Sequence, residues 1–127
     1  MPKDPKVDNR SYSMGFAPAP FNWSDRFFIH EMGTKVSNAS GDYTNVLAVR
    51  EYSKEEPNAF QLKYYAKGVG NIGIGYIGDD PNQETMDLMK EKELNQEEMA
   101  KVREEAMKLE KRASVYGQLA PAVVVKK

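Results

Sequence analysis

The chain has no cysteine and only one histidine and one tryptophan among 127 residues. The missing cysteine excludes disulfides, thiolate nucleophiles and cysteine-ligated metals together, yet leaves the compartment open, because secreted proteins also lack it. An excess of one charge is missing too. Lys+Arg number 18 against 19 Asp+Glu, a net charge of -1, so no global field draws in a polyanion. No apolar run approaches the ~20 residues of a membrane span. The opening MPKDPKVDNR is charged and is not followed by a signal-type apolar stretch. Two origins fit that opening: a cytosolic chain as written, or a mature form freed of an export signal.

What is present is enough for one core. A chain of this size buries roughly two thirds of the surface its unfolded form exposes. Hydrophobic residues make up 40% and charged residues 29%, with a mean hydropathy of -0.69 that leans polar. Residues 1–22 hold Pro2, Pro5, Pro18 and Pro20. Proline fixes φ and lacks a donor, so the expectation is an extended arm rather than a helix or inner strand. Within it Met14, Phe16 and Phe21 are more apolar than a free tail requires. Residues 23–117 then form the domain, and 118–127, with Val123, Val124 and Val125, an extended Val-rich tail.

The richest signal is Lys63–Gly78, KYYAKGVGNIGIGYIG, with five glycines between positions 68 and 78. Glycine interleaved with Val, Ile and Tyr reads as two strands meeting at a tight corner. Before the corner, Phe60, Leu62 and Tyr64 fall on one strand face. After it, Ile72, Ile74 and Tyr76 share a face, and Gly73 and Gly75 leave the other bare. Earlier, Phe21–Glu31 fits a capped turn or a strand equally well by period. A short run at Thr34–Ser37 and a longer one at Tyr43–Tyr52 read as strands, bounded by the turn clusters NASGD and SKEEPN. Thr85–Leu94 is weighed as a strand. Short connections between successive strands imply an antiparallel meander.

The C-terminal third reads as a helix. Asn95 followed by Glu98 is a capping-box variant. Met99, Val102, Ala106, Leu109, Ala113 and Tyr116 recur at spacings of three and four, with Gly117 as the stop. Glu97–Lys101 and Glu104–Lys108 are correctly oriented pairs four residues apart. The fold expected is therefore α+β: a twisted antiparallel β-meander of about four or five strands, with one long C-terminal amphipathic helix across a face.

Motifs that carry chemistry elsewhere lose their context here. Gly68-Val69-Gly70-Asn71-Ile72-Gly73 matches the dinucleotide fingerprint, but it runs on into Ile74-Gly75-Tyr76-Ile77, a strand former. The fingerprint requires a helix there, whose N-terminus holds a pyrophosphate. Read as an RNA-recognition strand, its stacking positions are Val69, Asn71 and Ile74, which supply no aromatic platform. His30 lies near Ser24 and Asp25, yet residues one to six apart on one segment rarely converge as a triad. Asp79, Asp80, Asn82 and Glu84 gather oxygens in one turn, as calcium requires, without the central glycine and terminal Glu of an EF-hand loop. A solvated turn is the default for that cluster. Met86, Met89, Met99 and Met107 read as plastic core filler rather than a copper site. No catalytic, metal or cofactor residues are assigned.

The run Asn45-Val46-Leu47-Ala48-Val49-Arg50-Glu51-Tyr52, the Glu56-Pro57 turn and Lys63-Tyr64-Tyr65-Ala66-Lys67-Gly68-Val69-Gly70 resemble a group of uncharacterised bacterial proteins. These are exported and β-rich, with a signature of the type VLVTREYTPLEPG…KYYAPGVGLV. The likeness spans about residues 20 to 115 and departs at Lys67, where proline is common. It implies an extracytoplasmic (periplasmic or secreted) site and supplies no catalytic residue. Its longer N-termini imply that this chain is a shortened or processed version.

Two functions are expected from these readings. The first is a non-catalytic interaction module, an accessory subunit of an envelope or extracellular assembly, touching a protein partner or a second copy through Met14, Phe16, Phe21 and Val123, Val124 and Val125. The alternative is a carrier whose half-barrel holds a lipid or other small apolar ligand between sheet and helix, lined by Phe60, Leu62, Tyr64, Ile72, Ile74 and Tyr76.

Overall fold

A computed structural model describes residues 2–8 and 10–112. Residues 2–91 and the segment from Lys92 onward form separate units. The first holds an antiparallel sheet of β1 (Tyr12–Ala17), β2 (Trp23–Asn38), β3 (Gly41–Ser53), β4 (Ala59–Ala66), β5 (Gly70–Gly78) and β6 (Met86–Asp87), in that order across the sheet. The second holds α1 (Gln96–Arg112). The fold is thus α+β and a pure meander, with six strands rather than four or five.

The differences from the pattern-based expectation have physical causes. Trp23–Glu31, the larger part of Phe21–Glu31, and Thr34–Ser37 are not separate pieces but parts of β2, which continues through Gly33 at φ +77°, while Phe21 and Asn22 stand in the turn before it. Tyr12–Ala17 forms an edge strand, the one place in a sheet where the prolines at 18 and 20 cost no ladder bond. At the far edge only Met86–Asp87 pairs with β5 (Ile74↔Met86, Gly73↔Asp87), so most of Thr85–Leu94 is irregular.

Bulges shape the sheet. The β2–β3 ladder shifts register between Ile29 and Glu31, Met32 and Thr34, and Thr34 and Val36, and Asn45 sits at φ +57°. Each bulge adds bend and twist. The distal part of the β2–β3 hairpin therefore curls until Asn38 Nδ2 donates to the carbonyl of Ile72 on β5, 2.9 Å away. The Leu88 amide donates to the same oxygen at 3.0 Å. Beneath this closure Val46, Ala66 and Ile72 are buried, with Val36, Tyr43, Tyr64 and Leu88 packed around them. The hairpin tip is braced by Ser40 Oγ and the Tyr43 hydroxyl, 2.7 Å apart.

Cross-strand partners share a face, which separates the rest of the sheet into two surfaces. On the first face Phe27, Ile29 and Val49 are buried against Tyr12, Leu47 and Tyr65. On the second lie Phe28, Arg50, Leu62 and Tyr64, paired as Phe28↔Arg50, Arg50↔Leu62 and Tyr64↔Gly73. Gly73 and Gly75 face Tyr64, whose ring lies 3.6 and 3.8 Å from where their β-carbons would stand. The bare stripe thus receives the ring of Tyr64.

The glycine corner is a hairpin. Val69 N donates to Ala66 O at 3.2 Å, Gly68 takes φ +84°, and the strand β5 comes directly after it. At the other end of β5, Gly78 adopts φ +77°, and a β-carbon there would lie 2.1 Å from the Asn58 carbonyl oxygen. In α1 both halves of the capping box form: Asn95 Oδ1 accepts from Glu98 N at 2.9 Å, and Glu98 Oε2 from Asn95 N at 3.1 Å. The expected stop at Gly117 and the seam residues Ala113 and Tyr116 lie outside the described residues.

Gly78→Ala combines a backbone clash with a left-handed φ and is expected to cost at least about 2 kcal/mol of stability. Gly75→Ala meets nothing closer than 3.8 Å and should change stability by less than about 1 kcal/mol. Urea unfolding of the two variants beside the parent measures both.

Candidate functional site

The β1–β2 hairpin concentrates exposed apolar side chains. Met14 is 51% exposed, Phe16 67%, Phe21 78% and Trp23 38%. Its turn is set by Phe21 N donating to Pro18 O at 3.1 Å, with Asn22 at φ +50°. That turn leaves Phe21 at the tip. A register shift between Ser13 and Gly15 makes Met14 the extra residue of a bulge. Trp23 is held by its indole N–H, which donates to Asp25 Oδ1 at 2.7 Å.

Beside the hairpin, on the first face, Ser13, Met14, Phe27, Val49, Glu51 and Tyr65 line a groove of about 430 Å³. Glu51 is its one carboxylate and pairs with Lys63 at 2.5 Å, both side chains largely covered. Burial, with the Glu51 charge adding to it, pushes the Tyr65 hydroxyl above its ordinary range, while Lys63 opposes the shift. The groove therefore keeps a neutral phenol next to a neutralised carboxylate and an apolar floor. It suits an apolar side chain from outside better than an ion. A smaller concavity of about 170 Å³ shares Glu51 and is lined by Trp23, Asp25, Ser53 and Asp80 among others.

The second face carries a cation where the pattern would put a hydrophobe. The Arg50 guanidinium lies 5.2 Å from the Phe28 ring centroid and 4.9 Å from that of Phe60. Tyr52 closes the cluster, with centroids 6.0 Å from both rings. Arg50 Nη2 donates to His30 Nδ1 at 3.1 Å. Arginine only donates, so the imidazole is neutral with its proton on Nε2. The Arg50 Nε is buried and has no hydrogen-bond partner among the described residues. Ring stacking, worth about 1–2 kcal/mol for a half-buried cation, offsets that loss. Next to it Arg26 donates to Ser11 Oγ at 2.7 Å and Ser11 O at 2.9 Å, fastening the arm to β2.

The residues expected to line the carrier pocket divide between the two faces of the sheet. Leu62 and Tyr64 pair with Gly75 and Gly73, whereas Ile74 and Tyr76 pair with Lys63 and Gln61. Phe60, Leu62, Tyr64 and Ile72 therefore lie on the second face, and Ile74 and Tyr76 on the first. The cause is a bulge: the register shifts between Tyr64 and Tyr65, where Gly73 and Asn71 are the partners and Ile72 is extra. One added residue reverses the alternation. Nor do Ser24, Asp25 and His30 converge. Ser24 Oγ donates to Glu55 at 3.1 Å, Asp25 accepts from Trp23, and His30 meets Arg50. In the Asp79–Glu84 turn, Asp80 Oδ1 accepts from Asn82 N at 2.9 Å and Glu84 accepts from Gln61 at 2.6 Å. No cluster of three metal-ligating side chains occurs among the described residues. Val123, Val124 and Val125 lie outside those residues.

Arg50 is the residue that sequence reasoning missed. Its signal was present: it alternates with Ala48 and Tyr52 inside a strand, where a charge is out of pattern. No family model, curated protein or solved structure matches the chain.

Burial, then the Arg50 charge, holds the His30 pKa below its ordinary 6.5, with Glu31 opposing. A histidine whose folded pKa is depressed contributes fully above its unfolded value, and that contribution falls as pH drops through 6.5 toward the folded value. Urea unfolding should therefore show lower stability at about pH 5.5 than at about pH 7.5, and His30→Gln should flatten the difference. Glu55, held low chiefly by the Ser53 hydroxyl, titrates below this window. In an NMR titration, Arg50→Met should move the His30 pKa upward.

Proposed function

We propose that the chain is a non-catalytic interaction module whose β1–β2 hairpin seats an extended, apolar segment of a partner protein. The observation that carries this reading is the concentration of Phe16, Phe21 and Trp23 on one hairpin, with two of them more than two-thirds exposed. Single exposed hydrophobes are ordinary on a monomer, whereas here three gather at the end of one hairpin, Phe16 opposite Ser24 on one face, Trp23 opposite Ala17 on the other and Phe21 at the turn. β1 also has no strand on its outer side among the described residues, so its backbone donors and acceptors remain available for an added strand. The groove beside Met14 offers a place for one of the partner's side chains.

An accessory subunit in an extracytoplasmic assembly is the setting this reading adopts, in line with the signature around Asn45–Gly70. The arm itself stays fixed while its apolar tips remain open. Arg26 clamps Ser11, and the Ser11 hydroxyl meets that of Tyr52 at 2.9 Å. A preordered contact loses less entropy on binding than a free tail.

The test replaces Phe16 and Phe21 together by Asp in the full chain. Their exposure predicts an unchanged circular dichroism spectrum and a stability within about 0.5 kcal/mol of the parent. Tagged parent protein expressed in its native source should retain a partner in fixed stoichiometry, and the double variant should lose it. Equal retention by both proteins would sink the proposal. Native mass spectrometry of the same material tests the carrier alternative through a persistent small added mass.

A further inference from the structure

The helix α1 carries an apolar stripe that is open along its length. Val102 is 51% exposed and Leu109 66%, and no residue from Gln96 to Arg112 is buried. Met99, Val102, Ala106 and Leu109 succeed one another at steps of three, four and three. That is a strict two-per-heptad seam, narrower than the stripe of a helix facing a globular core. It is the pattern of two paired helices, with Met99 and Ala106 at a positions and Val102 and Leu109 at d. A shallow concavity of about 380 Å³ runs along it between Lys101 and Glu105.

The charges sort around this seam. The intrahelical pairs Glu97–Lys101 at 2.7 Å and Glu104–Lys108 at 3.0 Å lie on the outer side, away from the stripe. Arg103 and Glu110 flank the seam on one side, and Glu98, Glu105 and Arg112 on the other. Among the described residues Arg103 and Glu110 have no ion-pair partner.

We propose that α1 pairs with α1 of a second copy of this chain, antiparallel, about a two-fold axis between residues 107 and 108. An isologous contact repeats each pair twice. In this register Ala106 packs against Leu109 of the second copy. Arg103 then faces Glu110 on one flank and Glu105 faces Arg112 on the other, so both flanking contacts among the described residues are attractive. A parallel pairing sets Glu98 beside Arg103, which attracts, but Glu105 beside Glu110, which repels. Flanking charges choose orientation and partner more than they add affinity. A seam this short makes a weak, concentration-dependent dimer. The pairing uses none of the hairpin's residues.

Sedimentation equilibrium of the full chain over a wide concentration range tests the pairing. The parent should show a monomer–dimer equilibrium, and Leu109→Asp should be monomeric throughout with an unchanged sheet spectrum. Glu110→Arg should weaken the dimer about tenfold, because Arg would then face Arg on one flank. Adding Arg103→Glu to it should restore the parent affinity. The Phe16 and Phe21 double variant should dimerise like the parent, which separates this proposal from the hairpin reading. A parent that stays monomeric, a dimer indifferent to Leu109→Asp, or a dimer tightened by Glu110→Arg (the parallel outcome) would each overturn it.

Discussion

The carbonyl oxygen of Ile72 holds the sheet closed. It accepts from Asn38 at the tip of the β2–β3 hairpin and from Leu88 beyond β6, drawing opposite parts of the meander onto one point. A single-layered sheet has no second layer to bury its residues, and here the chain supplies one by bending back on itself. Val46 and Ile72 reach 0% exposure in a cluster closed by Val36 and Tyr43 of that hairpin together with Tyr64 and Leu88. Full burial of each contributes about 1.5–3 kcal/mol. The bulges of β2 are what allow the bend, so backbone irregularity and core burial are one device.

The two surfaces divide the work. The first face is apolar with a neutralised Glu51–Lys63 pair, and its groove opens toward the hairpin. The second face spends its middle on Arg50, stacked between Phe28 and Phe60, with His30 kept neutral beside it. A half-buried cation with no ion-pair partner among the described residues is costly unless its hydrogens and its charge are met. Here two rings and one imidazole meet most of that requirement. This cluster also sets the position of Tyr52, and through Ser11 that of the arm, so the hairpin's orientation depends on residues far from its tip.

Much of the fold was legible in the sequence. The strands read at Tyr43–Tyr52 and Ala59–Lys67, the glycine hairpin and the capping box at Asn95 came from turn chemistry and period. What failed was parity. Alternation assigns Ile72 to the face of Ile74 and Tyr76, and a bulge at Asn71–Ile72 moves it to the other. Bulges have no strong local signature beyond glycine, and this segment has glycine at nearly every second position. The length of β2 escaped for a related reason, since Gly33 reads as a break and acts as a bend. Of the exposed apolar residues on the hairpin, Met14, Phe16 and Phe21 were visible as apolar residues in a proline-bearing arm. Arg50 was visible as a charge out of pattern but its role was not, because that role depends on rings brought in from β2 and β4.

The single indole reports on one place only. Trp23 stands on the hairpin, more than one-third exposed and tethered to Asp25, while the enclosed residues around Ile72 include tyrosines but no tryptophan. Its emission is thus a natural probe of docking at the arm, sensitive to an arriving neighbour and nearly blind to the interior. Tyrosine signals, from Tyr43 and Tyr64 above all, carry the complementary view of whether the curl has opened.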